Sequence, residues 1–285
     1  MQLIWPWQDR DRLFSWLKAG TFVLMFVPAI WLTYQVATQQ FGPVPLGGMT
    51  YWSGLFATGL VMLALAITPT ATIFGWGRLI VIRRMIGVTA LAYTIAHLII
   101  YFALRFWNFA SIAHEMLTRI SLVLATIATI GLVALGATSL DDAIRRMGAG
   151  NWQRLHNAIY VIGALAIIHY LLSPDIYPEQ YLMSGIFCWL MLWRLLNRRR
   201  LGTNAGALAG ITLVSCLFTA LLEIGWIWAY QDYAVSEILS IYFTLDLGVP
   251  PAVKILAIGL LIALGASGRH ALRLKTANLK AGKVV

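Results

Sequence analysis

The sequence predicts an all-α integral membrane protein of eight spans with both termini in the cytoplasm. Three observations carry this: the composition, a series of long apolar stretches, and a lopsided distribution of basic residues. Of 285 residues, 60% are hydrophobic and only 11% are charged, and mean hydropathy is +0.78. A soluble domain carries roughly 25% charged residues, so this chain cannot cover a water-facing surface. Two cysteines and the absence of a short-period repeat exclude a disulfide scaffold and a collagen-like fibre. The same apolar content excludes disorder. The chain opens MQLIWPWQDRDRLFSW, with tryptophans and charges but no small-residue cleavage site, so no cleavable signal peptide is expected.

Stretches near 20 residues with few charges fall at about 13–36, 51–68, 85–104, 120–140, 155–173, 181–197, 205–230 and 252–268. Without water in the bilayer core, spans of this length satisfy their backbone groups as helices. The short SPDIYPEQ connection makes the fifth and sixth antiparallel neighbours. Placing the N-terminus inside assigns five basic groups to the cytoplasm: Arg10, Arg12 and Lys18; Arg78, Arg83 and Arg84; Arg145, Arg146 and Arg154; Arg194 and Arg198 to Arg200; and Arg269, Arg273, Lys275, Lys280 and Lys283. These are 18 of the 21 Lys and Arg, leaving Arg105, Arg119 and Lys254 outside. That asymmetry fixes the orientation and supports an even number of spans. The net charge of +10 thus reflects orientation and anionic lipid headgroups, with no nucleic-acid partner expected. Trp16, Trp52, Trp76, Trp107, Trp193 and Trp228 sit near span ends, as interfacial anchors do.

Five histidines are available. His97 lies within the third span, His156 opens the fifth, His169 lies near the far end of the fifth, His114 is in an outer loop and His270 is in the basic tail. An ionisable side chain at membrane depth is costly and marks a functional candidate; the plainer reading is a neutral ring that bridges helices. Depth favours function for two of them. His97 lies ~20 Å beyond Arg84 along its helix, and His169 lies ~22 Å beyond Arg154 on a helix running the same way. Two imidazoles at one height on parallel helices suit a planar macrocycle between them, each supplying an axial nitrogen to haem iron. Zinc fits less well, since a tetrahedral site needs further Cys, His or carboxylate ligands at that depth.

His156 stands apart, two residues past Arg154 at the cytoplasmic boundary. A matching partner on the third span would fall near Arg83 or Arg84, so the sequence offers one complete bis-histidine site and one half-site. Thirteen residues at 100° put His156 and His169 about 140° apart on an ideal helix, so they need not serve one cofactor. His156 could ligate a second haem from one side, support a flavin, or cap its helix among lipid headgroups. Arg83, Arg84 and Arg154, with Arg145 and Arg146, converge on the same cytoplasmic loops. Orientation alone explains most of them; the functional alternative is a pocket for haem propionates or a flavin phosphate, using forked guanidinium hydrogen bonds.

The strings LALAITP, GWGRLIVIRRMIGVTALAYTIAHLIIY and LGATSLDDAIRRMGAGNWQRLHNAIYVIGALAIIHY closely resemble the YedZ/MsrQ proteins, within the ferric-reductase-like transmembrane superfamily. The likeness covers roughly residues 45–200, and RRMIG…Y…H and RLHNAIY…H agree in residue type, spacing and topology together. It implies a six-helix ferric-reductase-like bundle over residues 1–200 that binds a b-type haem, with His97, His156 and His169 on the family's histidine positions. Relatives with two complete haem sites carry a second histidine on the third span, where this chain has Arg83 or Arg84. The resemblance further implies FMN as a cofactor and the quinone pool or a cytoplasmic flavin reductase as donor. It implies a periplasmic, molybdopterin-containing methionine-sulfoxide reductase subunit as acceptor, and the bacterial inner membrane as location.

One departure concerns length. Family members usually stop after six spans, whereas residues 201–285 add two further spans and a basic cytoplasmic tail. This extension carries Glu223 near the outer end of the seventh span and an outer loop with Asp232, Glu237 and Asp246. The loop could dock a periplasmic partner or simply be solvated. Cys188 and Cys216 read as small core residues. Gly42, Gly47 and Gly48 with Pro43 and Pro45 make an outer turn rather than a phosphate loop. No nucleophile triad, paired carboxylates or metalloprotease motif appears.

These readings converge on an electron conduit that does not reduce substrate alone, because bis-histidine ligation leaves no open iron position. Two rivals stand beside it. One is a stand-alone ferric or cupric reductase; the other is a transporter or assembly factor with structural histidines, against which stands the lack of an inverted repeat.

Overall fold

The computed structural model describes residues 5–9, 11–173, 178–231 and 248–281, together with 234, 236, 237 and 240; for 273–281 it describes the backbone alone. Arg10, Asp232, Asp246 and Lys283, the turn at 174–177, and the side chains of Arg273, Lys275 and Lys280 lie outside the described residues.

Apart from one bridge between Gln8 and Phe14, the regular elements among the described residues are helices. They are α1 Trp16–Leu24, α2 Val27–Ala37, α3 Pro45–Phe74, a 3-10 turn Gly77–Ile82, α4 Arg83–Leu104, α5 Phe109–Thr118 and α6 Ile120–Ala137. After these come α7 Asp141–Met147, α8 Ala149–His156, α9 Ile159–Leu171, α10 Pro178–Arg198, α11 Ala205–Gln231 and α12 Pro251–Ala281. Local chemistry explains their ends. Proline opens α3, α10 and α12, where its missing N–H costs nothing. Pro28 at the start of α2 divides the first span into α1 and α2. Asn108 and Asn204 cap α5 and α11 by accepting from Ser111 N and Ala207 N. In α7, Asp141 and Asp142 occupy the first turn and Arg145 and Arg146 the last, complementing the helix dipole. Gly148, with φ of 74°, separates α7 from α8 in a conformation that favours glycine.

Among the described residues seven segments are long and apolar enough to cross a membrane: Trp16–Ala37, Pro45–Phe74, Gly77–Leu104, Ile120–Ala137, Ala149–Leu171, Ala205–Tyr230 and Pro251–Leu272. They coincide with seven of the eight expected spans, and the chain is a multi-pass, all-helical membrane protein. The remaining expected span, 181–197, falls on α10, which is helical throughout but carries Gln180, Arg194 and Asn197 among its apolar residues.

The chain divides into two compact units, residues 1–64 with 79–174, and 65–78 with 175–285. In the first, α6 packs on α9, with α4 and α5 also against α6. Its core joins Ala128, Leu132 and Leu135 of α6 to Ile162 of α9, with Leu91 of α4 alongside. Gly131 and Gly136 let these helices approach: a Cβ at Gly131 would meet Ile162, and one at Gly136 would meet Leu91. In the second unit α10, α11 and α12 pack on one another. There Arg194 donates to Leu65 O at 3.0 Å, and Arg269 donates to Thr72 O at 2.9 Å.

The connection after α4 is tied down by one carboxylate. Glu115 of α5 accepts from the Tyr101 hydroxyl at 2.9 Å and from Arg119 at 3.3 Å, and it pairs with Arg105. The Arg105 guanidinium bonded to it holds the Glu115 carboxyl down at about 2, against an ordinary 4.5. Glu115→Gln is expected to lower the melting temperature of the purified protein by a few degrees at neutral pH. A carboxyl depressed in the folded state stabilises fully above its unfolded value and loses that contribution as pH falls toward its folded value. The gap between variant and wild type should therefore close as pH drops from about 4.5 toward about 2. A gap unchanged across that window would count against this clasp.

Candidate functional site

The site is built from four helices of the first unit. α4 carries His97, α9 carries His169, α3 carries Thr50, Ser53 and Gly54, and Ser121 stands in the first turn of α6. His97 Nδ1 lies 3.0 Å from Thr50 O and 3.1 Å from Ser53 Oγ. Ser53 is 1% exposed, and its hydroxyl also donates to Thr50 O at 3.1 Å. His169 Nδ1 lies 2.9 Å from Ser121 O. A carbonyl can only accept, so in both rings Nδ1 carries the proton and Nε2 keeps its lone pair. The hydrogen bonds of both histidines among the described residues run through Nδ1 alone. The two rings are close enough to act on each other electrostatically.

Main-chain geometry explains how helical carbonyls serve as acceptors. Each is already bonded within its helix to the N–H four residues on, and a small side chain at that position leaves its second lone pair open to a neighbouring helix. Gly54 stands four residues after Thr50, and Ala125 four after Ser121. The His97 ring fills the space above Gly54: a Cβ there would lie 3.0 Å from Cε1 and 3.2 Å from Nδ1. The residues next in sequence meet as well, with the Tyr170 hydroxyl 3.3 Å from that of Tyr51. From Tyr51 an aromatic wall continues through Trp52 to Trp31, whose rings stand 4.7 Å apart, and to Phe56.

His156 is held in another way. Its ring stacks on Trp152 at 4.0 Å between centroids, and its Nε2 lies 3.3 Å from Thr138 Oγ1. The Thr138 hydroxyl donates to Ala134 O at 2.8 Å, so it accepts from an Nε2–H of His156. Trp152 Nε1 in turn donates to Thr138 O at 2.9 Å. Arg83 lies close enough for its charge to act on the His156 ring. Arg84 is paired with Asp141 at 2.6 Å, and Arg154 is exposed. The expected residues therefore fall into two groups, His97 with His169 and His156 with Arg83, while Arg84 is committed to α7. His114 and His270 are exposed, and Glu223 is buried in the second unit.

Thr50, Ser53, Gly54 and Ser121 do not stand out in the sequence, because two of them act through the main chain and one by lacking a side chain. Trp152 was open to discovery, lying one helical turn before His156. Chemically, His97 and His169 each present a neutral imidazole with an Nε2 lone pair of the kind that binds metals. Among the described residues no three His, Cys, Asp or Glu gather to hold a bare metal ion.

Comparison with known proteins places the chain among relatives. Residues 52–167 match the family described as ferric reductase like transmembrane component. The chain is 32% identical over 203 residues to the protein-methionine-sulfoxide reductase heme-binding subunit MsrQ of Azospira oryzae, a match covering 68% of this chain and 84% of that protein. It is 31% identical to the protein of the same name from Cronobacter sakazakii, over 65% of this chain and 94% of that one. The Caulobacter vibrioides protein is also 31% identical, over 63% and 87% respectively. No solved structure matches the chain at a significant level.

The hydrogen-bond partners fix a tautomer for each ring, which nitrogen-15 NMR of histidine-labelled protein without bound cofactor can read. His97 and His169 are expected as Nδ1–H tautomers and His156 as Nε2–H. The reverse pattern at His97 or His169 would contradict the site as described.

Proposed function

We propose, because the chain belongs to the MsrQ family, that it is a haem-binding membrane redox subunit of a methionine-sulfoxide reductase system, with His97 and His169 as the axial ligands of a b-type haem. The observation that carries this is the matched pair of imidazoles, each with Nδ1 bound to a helical carbonyl and Nε2 left for a metal. The donor set fits the group: hydrogen bonding at Nδ1 fixes the ring orientation and raises the basicity of the ligating nitrogen. Haem bound between two imidazoles supplies one-electron transfer and has no open position for substrate.

The chain's own residues then have distinct tasks. Thr50, Ser53 and Ser121 orient the rings, Gly54 leaves room for His97, and the Trp31–Trp52–Phe56 wall keeps water away. His156 and Arg83 form a half-site on the side that the basic residues assign to the cytoplasm, with Arg84 and Arg154 beside it. That half-site is where electrons enter, from membrane quinol or a flavin reductase, and its positive charge suits haem propionates or an FMN phosphate. Electrons leave at the opposite face to a periplasmic, molybdopterin-containing subunit, which performs the sulfoxide chemistry. On this reading residues 1–200 form the haem-binding part, in the bacterial inner membrane with both termini cytoplasmic, and residues 201–285 are an extension to it.

The visible spectrum of the purified, detergent-solubilised protein tests the reading. The wild type should show a reduced b-type haem. His97→Ala and His169→Ala should each lose nearly all of it, and His156→Ala only part. Gly54→Leu should behave like His97→Ala, because its side chain takes the space of the ring. Equal haem content in all four variants would break the ligand assignment, and a colourless wild type would overturn the reading itself.

A further inference from the structure

The polar side chains of α10 are treated differently at its two ends. Toward its C-terminal end three polar side chains of α10 have partners: Trp193 Nε1 donates to Gly202 O at 2.9 Å, Trp189 Nε1 to Thr212 Oγ1 at 3.0 Å, and Arg194 to Leu190 O and Leu65 O. At its N-terminal end the pattern fails. Gln180 is 0% exposed, and neither atom of its amide has a hydrogen-bond partner among the described residues. Tyr181 is 1% exposed, and its hydroxyl is likewise unpartnered. The two side chains are neighbours, close enough to act on each other. Glu223 of α11, also buried, is near enough to act electrostatically on the Tyr181 hydroxyl.

An amide and a phenol buried without partners cost several kcal/mol inside a membrane, where no bulk water compensates them. Folded proteins place such groups only where something bonds them. The occupant must both donate and accept, since the Gln180 amide offers an oxygen and an NH2 and Tyr181 offers an O–H. It must also be small, because both side chains are almost wholly buried. Water meets these demands, as buried waters typically make about three hydrogen bonds to otherwise unsatisfied groups.

We propose that Gln180 and Tyr181 form an internal water site at the N-terminal end of α10, so that the second unit holds a hydrated polar pocket within its packed helices. The site is independent of the histidines and of haem.

X-ray radiolytic hydroxyl labelling with mass spectrometry tests this on the full-length protein in detergent, because radicals formed from bound water modify adjacent side chains even when these are buried. Tyr181 should be labelled several-fold faster than Trp193, which is 2% exposed but has its N–H bonded to protein, after correction for intrinsic reactivity. Gln180→Leu, or Gln180→Met should the first not fold, is expected to remove that excess while labelling of exposed Trp16 stays unchanged. Labelling of Tyr181 no faster than Trp193 in the wild type overturns the proposal, as does an excess that survives either substitution.

Discussion

Two N–H···O=C hydrogen bonds, from His97 to Thr50 and from His169 to Ser121, are the interactions on which the rest of the molecule's chemistry depends. A charged imidazole is too costly at membrane depth, so each ring must be neutral, and a neutral ring still has one N–H to place. A side-chain partner could swing away. A helical carbonyl cannot, since its own helix holds it, and each ring therefore points its other nitrogen in a fixed direction. Such bonds contribute only about 0.6 kcal/mol each in a membrane protein, so their main effect is on orientation and tautomer rather than on stability.

That constraint propagates into the packing. A helical carbonyl accepts a second hydrogen bond from another helix most readily where the side chain one turn later is small, as Gly54 is after Thr50 and Ala125 after Ser121. It also requires α4 to pass close to α3, and α9 close to α6. The α6–α9 contact is secured by the core around Leu132 and Ile162, and Gly131 and Gly136 allow that core to form. Around His156 the same residue type is set differently: an aromatic stack and a threonine hydroxyl occupy the ring, and a neighbouring arginine supplies charge. One residue type is thus held in two ways, by Nδ1 at His97 and His169 and by Nε2 at His156.

Much of this was legible in the sequence, and what was not has physical reasons. Seven of the expected spans emerged as apolar helices because hydropathy over 20 residues is a strong, additive signal. The helices α5, α7 and α8 were not anticipated: they are short, and their polar faces carry no span-like pattern. The 181–197 segment was legible as a helix, but its composition is that of a segment buried among other helices. In the site, His97 and His169 stood out because ionisable residues are rare in apolar stretches. Their acceptors did not, because a backbone carbonyl belongs to every residue, and only the small side chain one turn later marks the ones in use. His156 was visible, but its partners Trp152 and Thr138 become neighbours only when α8 folds back on the end of α6.

Electron paramagnetic resonance of the oxidised, purified protein at low temperature bears most directly on the central claim, because it reports both ligands of the iron at once. A b-type haem held by His97 and His169 would give a low-spin ferric signal, and that is the expected result. A predominantly high-spin ferric signal, meaning an iron with an open or weakly filled axial position, would contradict the account.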